Sequence, residues 1–535
     1  MKTSKNDKKL HKTIKIAEIS QSTEKESKEE ECLNELDNHV KRSINACRTE
    51  FTESKIFEVE KAIIKQTYEF GRLLIQLYLL SSHIKFDYSQ HLRSGTYYLK
   101  KTLRYRTIKT VFGKVIYGRC YLKNKNSAGG YYPFDIKSGI TQDGFSPLVI
   151  KFVTNLATRM SFKSSCELFK RFFQWTPSTE AVQRLVLGVG KYGAGFMKEL
   201  TSSYEGDGEK LVIEIDGKAT STATEEELRK RRGKRKAKEA RRGCKCGCQR
   251  HRGKSKQKGS KSGDRRKRGS KSKNGRSITL VAMYTLKQDK EGLLHGQVNK
   301  KIWGSYCARI EMIKWARDEA QKRGFDPATS KNIHIVLDGE KVLKDGMSEY
   351  FKEATFALDI RHLEEKIWKT GRAFHAEGSK VLREWVDGYV EKLYQGEAGE
   401  LVQELKELLK SLSTRAENTK NKRKRLQELI KYMEPRISML QYKELMNQDL
   451  VIASGVIEGA ARYVVGERMD CSGMRWIPQK AEALLHLRCI ELNGDWDNFF
   501  DWVYQKWTDG LNNGDAVQVR TNAGIDLGEK YAKAA

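Results

Sequence analysis

Residues 211–218 read LVIEIDGK, an apolar run that ends in an aspartate and a glycine. Successive side chains of an extended chain point to opposite faces, so Glu214 and Asp216 share one face of a strand. Residues 333–340 repeat the arrangement as IHIVLDGE, with Asp338 directly after the apolar run. Taken alone, an Asp-Gly pair after a strand is typical of a turn. Two such strands in one chain favour a sheet with acidic side chains at its edge.

The segments around these two strands predict a mixed sheet. Further strand patterns lie at 278–286, 293–299 and 355–360, and an amphipathic helix is expected over 306–323. Strands followed by alternating helix and strand favour an α/β domain with helices packed on its sheet. From residue 363 to about 450 the pattern is helical throughout, which predicts an all-helical insertion.

A third acidic residue follows the helical segment. Glu458 lies in SGVIEGAARYVVGERM, where Ser454 precedes a helical pattern and Arg462 lies one turn after the acid. An exposed Glu/Arg helix pair is the ordinary interpretation. Carboxylates that converge from two strands and a helix repel one another, and divalent cations relieve that repulsion. Asp216, Asp338 and Glu458 are therefore candidates for a metal-dependent phosphoryl-transfer centre.

Charge indicates the class of partner. The chain has 535 residues, a formal charge of +32 and a sequence pI near 9.6, which favours a polyanion such as nucleic acid. The first residues lack an apolar signal segment, and no apolar stretch is long enough to span a bilayer. We expect a cytoplasmic, nucleoid-associated protein without a membrane partner.

Residues 229–276 form a basic arm. The arm contains 24 lysine or arginine residues against two acids, which accounts for +22 of the total charge. It lacks aromatic residues, so we expect it to be disordered until it contacts phosphate, and a solubilising loop is the alternative. Expected phosphate contacts are Arg231, Arg232, Lys234, Arg235, Arg265 and Arg266.

The same arm contains four potential zinc ligands, Cys244, Cys246, Cys248 and His251. The C-x-C-x-C spacing departs from the usual C-x₂₋₄-C, so unligated reduced thiols are the alternative. The remaining cysteines are scattered, which is typical of reduced thiols inside the cell.

The chain before the sheet predicts two segments. Residues 1–58 are charged and poor in large apolar residues, so we expect a mobile lead-in with a helix beginning near Glu31. Residues 59–200 are expected to form a mainly helical DNA-binding region. It begins with an amphipathic helix over 59–82 and continues with a small β element over 97–123.

Two helical patterns between residues 161 and 190 flank a short turn. Ser178 is a plausible N-cap of the second helix. The pair is either a DNA-reading helix-turn-helix or an ordinary helical hairpin, and spacing alone does not distinguish them.

The acidic motifs resemble those of a known family. IDGK, LDGE, LDIRH and SGVIEGAARYVVGERMDCSGMRW are similar to motifs of the transposases of bacterial insertion sequences of the Kra type, which are related to Mutator-like DDE transposases. The similarity runs from about Tyr105 to Trp502. It implies a ribonuclease H-like core over 201–362, the helical insertion over 363–450 and a catalytic C-terminal region over 451–535.

The resemblance also implies an activity. Asp216, Asp338 and Glu458 would form the DDE triad, bind two Mg²⁺ or Mn²⁺ ions, and catalyse cleavage and strand transfer of insertion-sequence DNA ends. Asp359 and His362 match the C/D-x₂-H motif of Mutator-related enzymes, which makes His362 a supporting residue, with a structural histidine as the alternative. Implied partners are the terminal repeats, target DNA and further copies of the chain.

Arg475 and Trp476, in SGMRW, are expected either to contact DNA or to brace the catalytic helix. Two other functions are compatible with the sequence. One is a ribonuclease H-like nuclease or resolvase that does not join DNA ends, and the other is a catalytically inactive basic DNA-binding protein.

Overall fold

The computed structural model describes residues 5–93, 96–100, 102–126, 129–200, 204–230, 275–471 and 474–512, with side chains from residue 27 onward. The chain forms two compact units. The first contains the chain up to Tyr192 together with the helix that begins at Trp496. The second contains Gly193–Asp495 and carries the expected acidic residues.

The first unit combines helices with two small β elements. Its strands are β1 (Tyr97–Leu99), β2 (Arg104–Thr110), β3 (Gly113–Arg119), β4 (Leu122–Asn124) and β5 (Gly130–Tyr131). The β2–β3 hairpin turns at Gly113, whose φ of 115° suits glycine, and the other strands form a sheet in the order β1-β4-β5. The predicted β element is therefore confirmed. The helices are α1 (Lys5–Arg48), α2 (Ile56–Ile84), α3 (Ser89–Leu92), α4 (Pro133–Lys137), α5 (Pro147–Arg159), α6 (Phe162–Phe173) and α7 (Thr179–Gly190).

The N-terminal segment differs from the mobile lead-in that its composition predicts. The second half of α1 packs along α2, where Cys32 and Ala46 are buried. The His39 ring donates to the carbonyl oxygen of Gln66 at 3.0 Å. The helix expected from near Glu31 is present. The expectation that this part of the lead-in is mobile overlooked small buried side chains, which are enough to dock a highly charged helix.

The two predicted helices between residues 161 and 190 are present as α6 and α7. The Ser178 hydroxyl caps α7, as expected. However, α7 packs against α5 and α6 and is exposed chiefly at Thr179, Glu180 and Arg184. A recognition helix needs an exposed face that reaches base edges. The packing therefore favours the ordinary helical hairpin.

The second unit is built on a five-stranded mixed sheet in the order β10-β9-β6-β7-β8. Its strands are β6 (Lys210–Ser221), β7 (Gly275–Gln288), β8 (Leu294–Ser305), β9 (Ile333–Leu337) and β10 (Thr355–Leu358). The β6, β7 and β8 strands are antiparallel neighbours, whereas β9 and β10 run parallel to β6. The β6–β7 pairing continues until Ser221 lies opposite Gly275. The predicted mixed sheet is confirmed.

Helices cover the sheet and form the insertion. They are α8 (Gly193–Glu199), α9 (Arg309–Lys322), α10 (Lys341–Tyr350), α11 (Ile360–Gly371), α12 (Lys380–Tyr394), α13 (Ala398–Ser411), α14 (Glu417–Met433), α15 (Tyr442–Met446), α16 (Gly455–Ala460) and α17 (Pro478–Leu492). A π-helical turn, Ala461–Gly466, follows α16 directly. Across the described ranges, every helix is too short or too polar to cross a lipid bilayer.

The last helix, α18 (Trp496–Asn512), belongs to the first unit. This divides the segment 451–535 that was expected to form one catalytic region. Phe499, Val503 and Trp507 are buried, and Lys151 of α5 pairs with Asp497 at 2.8 Å. The apolar stripe of α18 is buried within that unit, which the local sequence pattern does not reveal.

Candidate active site

Three aspartates lie side by side where the parallel strand pairing ends. In the pairing of β6, β9 and β10, Ile215 lies opposite Leu337, which lies opposite Leu358. The next residues along the three strands are Asp216, Asp338 and Asp359. The Asp359 N–H donates to the Leu337 carbonyl oxygen at 2.9 Å, which continues the pairing beyond the strands. The fold thus gathers three carboxylates at one end of the sheet.

The environment of Asp216, which includes two other carboxylates, raises the pKa of this residue. Burial raises the pKa of Asp216, and the charges of Asp338 and Asp359 raise it further, whereas His362 lowers it. The Asp216 carboxylate accepts a hydrogen bond from the N–H of Gly217 at 2.6 Å. A divalent cation would relieve the repulsion by neutralising the shared charge.

Asp359 and His362 form a tight pair. The His362 Nδ1 lies 2.6 Å from the Asp359 Oδ2, and the Ser454 hydroxyl donates to the same oxygen at 2.5 Å. The bond to Asp359 raises the pKa of His362 to about 9, although burial opposes it. Burial would raise the pKa of Asp359, but the bonds from His362 and Ser454 outweigh it and lower that pKa. The pair is therefore a carboxylate and an imidazolium at neutral pH.

Glu458 joins this pair from the exposed side of α16. Each of Asp359, His362 and Glu458 offers a ligand atom within 4.8 Å of the others, and Glu458 is exposed whereas Asp359 is buried. Within the described ranges, no ion pair joins Glu458 to Arg462. The ordinary interpretation of Glu458 as half of an exposed helix pair therefore does not hold.

Glu214 connects the first acidic strand to α16. Its carboxyl group accepts from the Ile457 N–H at 2.7 Å and from the Tyr284 hydroxyl at 2.8 Å. The side chain is fully buried, and burial raises the pKa of Glu214 to about 7. The sequence offered one signal for this residue, because it alternates with Asp216 on the same strand face.

The helical insertion contacts the loop after β9. The Tyr432 hydroxyl donates to the Asp338 carbonyl oxygen at 2.6 Å, and the Arg436 guanidinium donates to the Gly339 carbonyl oxygen at 2.6 Å. Gly339 has a φ of 80°, and a Cβ there would lie 2.7 Å from Leu358. The insertion thereby fixes the backbone that presents the second aspartate.

A further acid beside this loop was missed by sequence reasoning. Glu340 pairs with Arg309 of α9 at 2.5 Å, and its N–H donates to the Asp338 carboxylate at 2.9 Å. Burial raises the pKa of Glu340; Arg309 lowers it, and Asp338 raises it. Glu340 differs from an ordinary turn residue only because it pairs with Arg309 of α9. The sequence around Glu340 does not show this contact.

Trp476 braces the fold and does not face solvent. Its indole N–H donates to the Met469 carbonyl oxygen at 2.9 Å, and its backbone pairs with Thr222 just beyond β6. The ring is buried, which favours a bracing role over a DNA contact. These contacts are not to α16, so bracing of the catalytic helix stays a prediction. The neighbouring Arg475 is exposed.

The donor set fits a hard divalent cation. Carboxylate oxygens are the ligands that Mg²⁺ and Mn²⁺ prefer, and an imidazolium offers no lone pair to a metal. In the described part of the chain, the group close enough for one ion contains Glu458 with Asp359 and His362, and does not contain Asp216 or Asp338. Among the described residues, the expected triad of Asp216, Asp338 and Glu458 is therefore not within reach of a single ion, and Asp359 is the strand-end acid that lies close to Glu458.

Several predicted residues lie outside the described residues. Residues 231–274 contain most of the basic arm and the cysteine cluster. The predictions that concern them are disorder of the arm, zinc binding by Cys244, Cys246, Cys248 and His251, and DNA contacts by Arg231, Arg232, Lys234, Arg235, Arg265 and Arg266. All of these stay predictions from the sequence.

A scan of protein-family models gives no match, and a search of curated proteins gives no significant match. Functional conclusions therefore rest on the residues and on the geometry of the strand ends.

Proposed function

We propose that this protein is a DDE transposase of the Kra type, which cleaves insertion-sequence DNA ends and transfers them to a target. The observation that carries the proposal is that Asp216, Asp338 and Asp359 occupy adjacent positions on neighbouring strands, close to the helix of Glu458. Acids so far apart in the sequence converge at one sheet end, as a metal-dependent phosphoryl-transfer site requires.

The fold supports a ribonuclease H-like core. The mixed sheet carries its first acid on the central strand, and an all-helical insertion separates β10 from the helix of Glu458. This layout agrees with the one that the resemblance of the acidic motifs implies. The order of the acids along the chain and the position of the first acid in the sheet thus both support a ribonuclease H-like core.

In this proposal Asp216, Asp338 and Glu458 hold the cations, with Asp359 beside them. Mg²⁺ or Mn²⁺ held by these carboxylates would supply activation of the attacking oxygen and stabilisation of the leaving oxygen. His362 is fixed by Asp359 and carries a positive charge at neutral pH, so its free N–H can donate to a phosphate oxygen of the DNA.

The proposed partners follow from charge and from the reaction. A formal charge of +32 favours DNA, both as the element ends and as the target, and favours association with the nucleoid. Joining two ends requires that both be held together, so we propose an oligomer on DNA.

Cleavage of the DNA that flanks the gene of this protein tests the proposal. Asp216→Asn should abolish Mg²⁺-dependent cleavage, because it removes one of the carboxylates that would hold the cations. DNA binding should persist, because the basic residues are unchanged. Asp345→Asn, an exposed residue on α10, is the matched control and should cleave normally. Retained cleavage by Asp216→Asn would overturn the assignment.

A nuclease or resolvase is the second candidate, because it would use the same acids. A strand-transfer assay with the cleaved ends and a second DNA molecule separates the two enzymes. Joined products support the transposase, whereas cleavage without joining supports the nuclease. DNA binding that is indifferent to Mg²⁺ and to loss of Glu458, without any cleavage, supports an inactive DNA-binding protein.

A further inference from the structure

Two helices of the second unit carry a strip of basic side chains. It is formed where α14 packs against α11. We call it the insertion groove and define it by Lys366 and Lys369 of α11, Lys424, Arg425 and Tyr432 of α14, and Arg436 just after α14.

One wall of the insertion groove begins at the candidate active site. His362, Lys366 and Lys369 are spaced at i, i+4 and i+7, which places them on one face of α11. A rise of 1.5 Å per residue puts the two lysines about 6 and about 10 Å beyond His362 along the helix axis. Positive charge thus continues from the His362 imidazolium along the helix.

The other wall is tied to the same centre. The Lys366 Nζ lies 4.2 Å from the centre of the Tyr432 ring, and that tyrosine donates to the Asp338 carbonyl oxygen. The Arg436 guanidinium lies 4.7 Å from the same ring. The insertion groove and the backbone of the second aspartate therefore share side chains.

Positive charge in the insertion groove is poorly neutralised. Burial lowers the pKa of Lys366, and the charges of Lys369 and Arg436 lower it further, whereas those of Asp338 and Glu365 raise it. Glu428 pairs with Arg425 at 2.7 Å. Within the described ranges, no carboxylate lies within 4 Å of the ammonium groups of Lys366, Lys369 or Lys424. The charge of Glu428 also acts on Lys369 and Lys424. Cations still outnumber these acids in the insertion groove, which favours an anionic ligand.

We propose that the insertion groove binds the sugar-phosphate backbone of DNA on one side of the cleaved bond, so that the helical insertion holds the substrate. The inference rests on the proposed function and adds a surface to it. A row of cations that starts at the site of phosphoryl transfer fits a polymer with phosphates at regular intervals. Contacts of this kind position the DNA without reading its sequence.

The test measures binding of a mixed-sequence DNA duplex by the full-length protein as salt is varied, without Mg²⁺. Lys369 and Lys424 are exposed, so the double variant Lys369→Ala with Lys424→Ala should fold normally. Each lost phosphate contact reduces the slope of log K against log salt by about 0.9, so we expect a reduction of about 1.8. The control, Lys331→Ala with Lys410→Ala, removes two exposed lysines outside the insertion groove and should keep the wild-type slope.

Footprinting locates the contact. The double variant should lose backbone protection on one flank of the cleavage site and keep it on the other. An unchanged slope, or a slope reduced equally by the control, would overturn the inference even if Asp216→Asn behaves as proposed. A reduced slope in a protein that never cleaves DNA would retain the insertion groove and reject the transposase.

Discussion

The Glu214 carboxyl group accepts a hydrogen bond from the Ile457 N–H, although 243 residues separate the two along the chain. Glu214 lies on β6, two residues before Asp216, and Ile457 lies on α16, directly before Glu458. The strand of the first acid therefore fixes the helix of the last one. A buried carboxyl group outside the expected triad sets the geometry of that triad.

Glu214→Ala should lower the free energy of unfolding by about 2–3 kcal/mol, because the Tyr284 hydroxyl and the Ile457 N–H would lose a buried partner. It should also reduce Mg²⁺-dependent cleavage by loosening the helix of Glu458. Denaturant unfolding and cleavage assays measure the two effects. Glu214→Gln is the control, since its amide can accept from Ile457 and donate to Tyr284. An alanine variant as stable as wild type would exclude the anchoring role.

Mg²⁺ should raise the unfolding temperature of the protein, and Glu458→Gln should reduce that increase. Ligand at a hundredfold excess over its Kd stabilises by about 2.7 kcal/mol. Glu458 is exposed, so its replacement should leave the metal-free protein as stable as before. Glu349→Gln, an exposed acid on α10, is the matched control. Equal metal-induced increases in both variants would remove Glu458 from the metal site.

Tyr432→Phe should slow cleavage while it leaves DNA affinity unchanged. The substitution removes the hydroxyl that donates to the Asp338 carbonyl oxygen but keeps the ring beneath Lys366. We expect a loss of about 1 kcal/mol in unfolding free energy and a lower kcat. Tyr394→Phe, on the partly exposed end of α12, should change neither quantity. Unaltered kcat in Tyr432→Phe would show that the insertion does not position the second aspartate.

His334 should make the second unit sensitive to acid. Burial lowers the pKa of His334 to about 4, and its ring donates to the Val451 carbonyl oxygen at 2.7 Å. The unfolded chain binds this proton near pH 6.5, so stability is present above that pH and is lost as the pH falls towards 4. The loss should amount to about 3 kcal/mol.

The variant His334→Gln keeps a donor for Val451 and cannot titrate. Its unfolding free energy should fall less steeply than that of wild type between pH 6.5 and 4. Parallel curves for the two proteins would show that His334 is protonated without cost in the folded state.

The sheet could be predicted from the sequence because its strands are continuous apolar runs. Residues 211–216 and 333–338 are recognisable from their own residues alone, and both were found within a few residues of β6 and β9. Asp216 was expected at a strand end, but β6 continues to Ser221, and only its parallel pairing with β9 ends at Ile215. The local sequence pattern is enough to predict a strand when the whole strand is buried, because burial requires apolar residues.

Other parts of the site depend on contacts that a linear pattern does not contain. The role of Glu214 requires Ile457, and the role of Tyr432 requires the loop of Asp338. Burial of Trp476 follows from pairing with the chain after β6. Each of these three residues depends on a partner that is distant in the sequence. The type of side chain alone indicated either a different role or no role.

The pairing of Ser221 with Gly275 closes the hairpin of β6 and β7. The connection between these two positions begins and ends at neighbouring points of the sheet, so its length imposes no strain on the strands. Doubling such a connection costs only about 0.6 kcal/mol of closure entropy. Closure entropy therefore sets little limit on the length of this interval, which makes it a suitable place for engineered insertions.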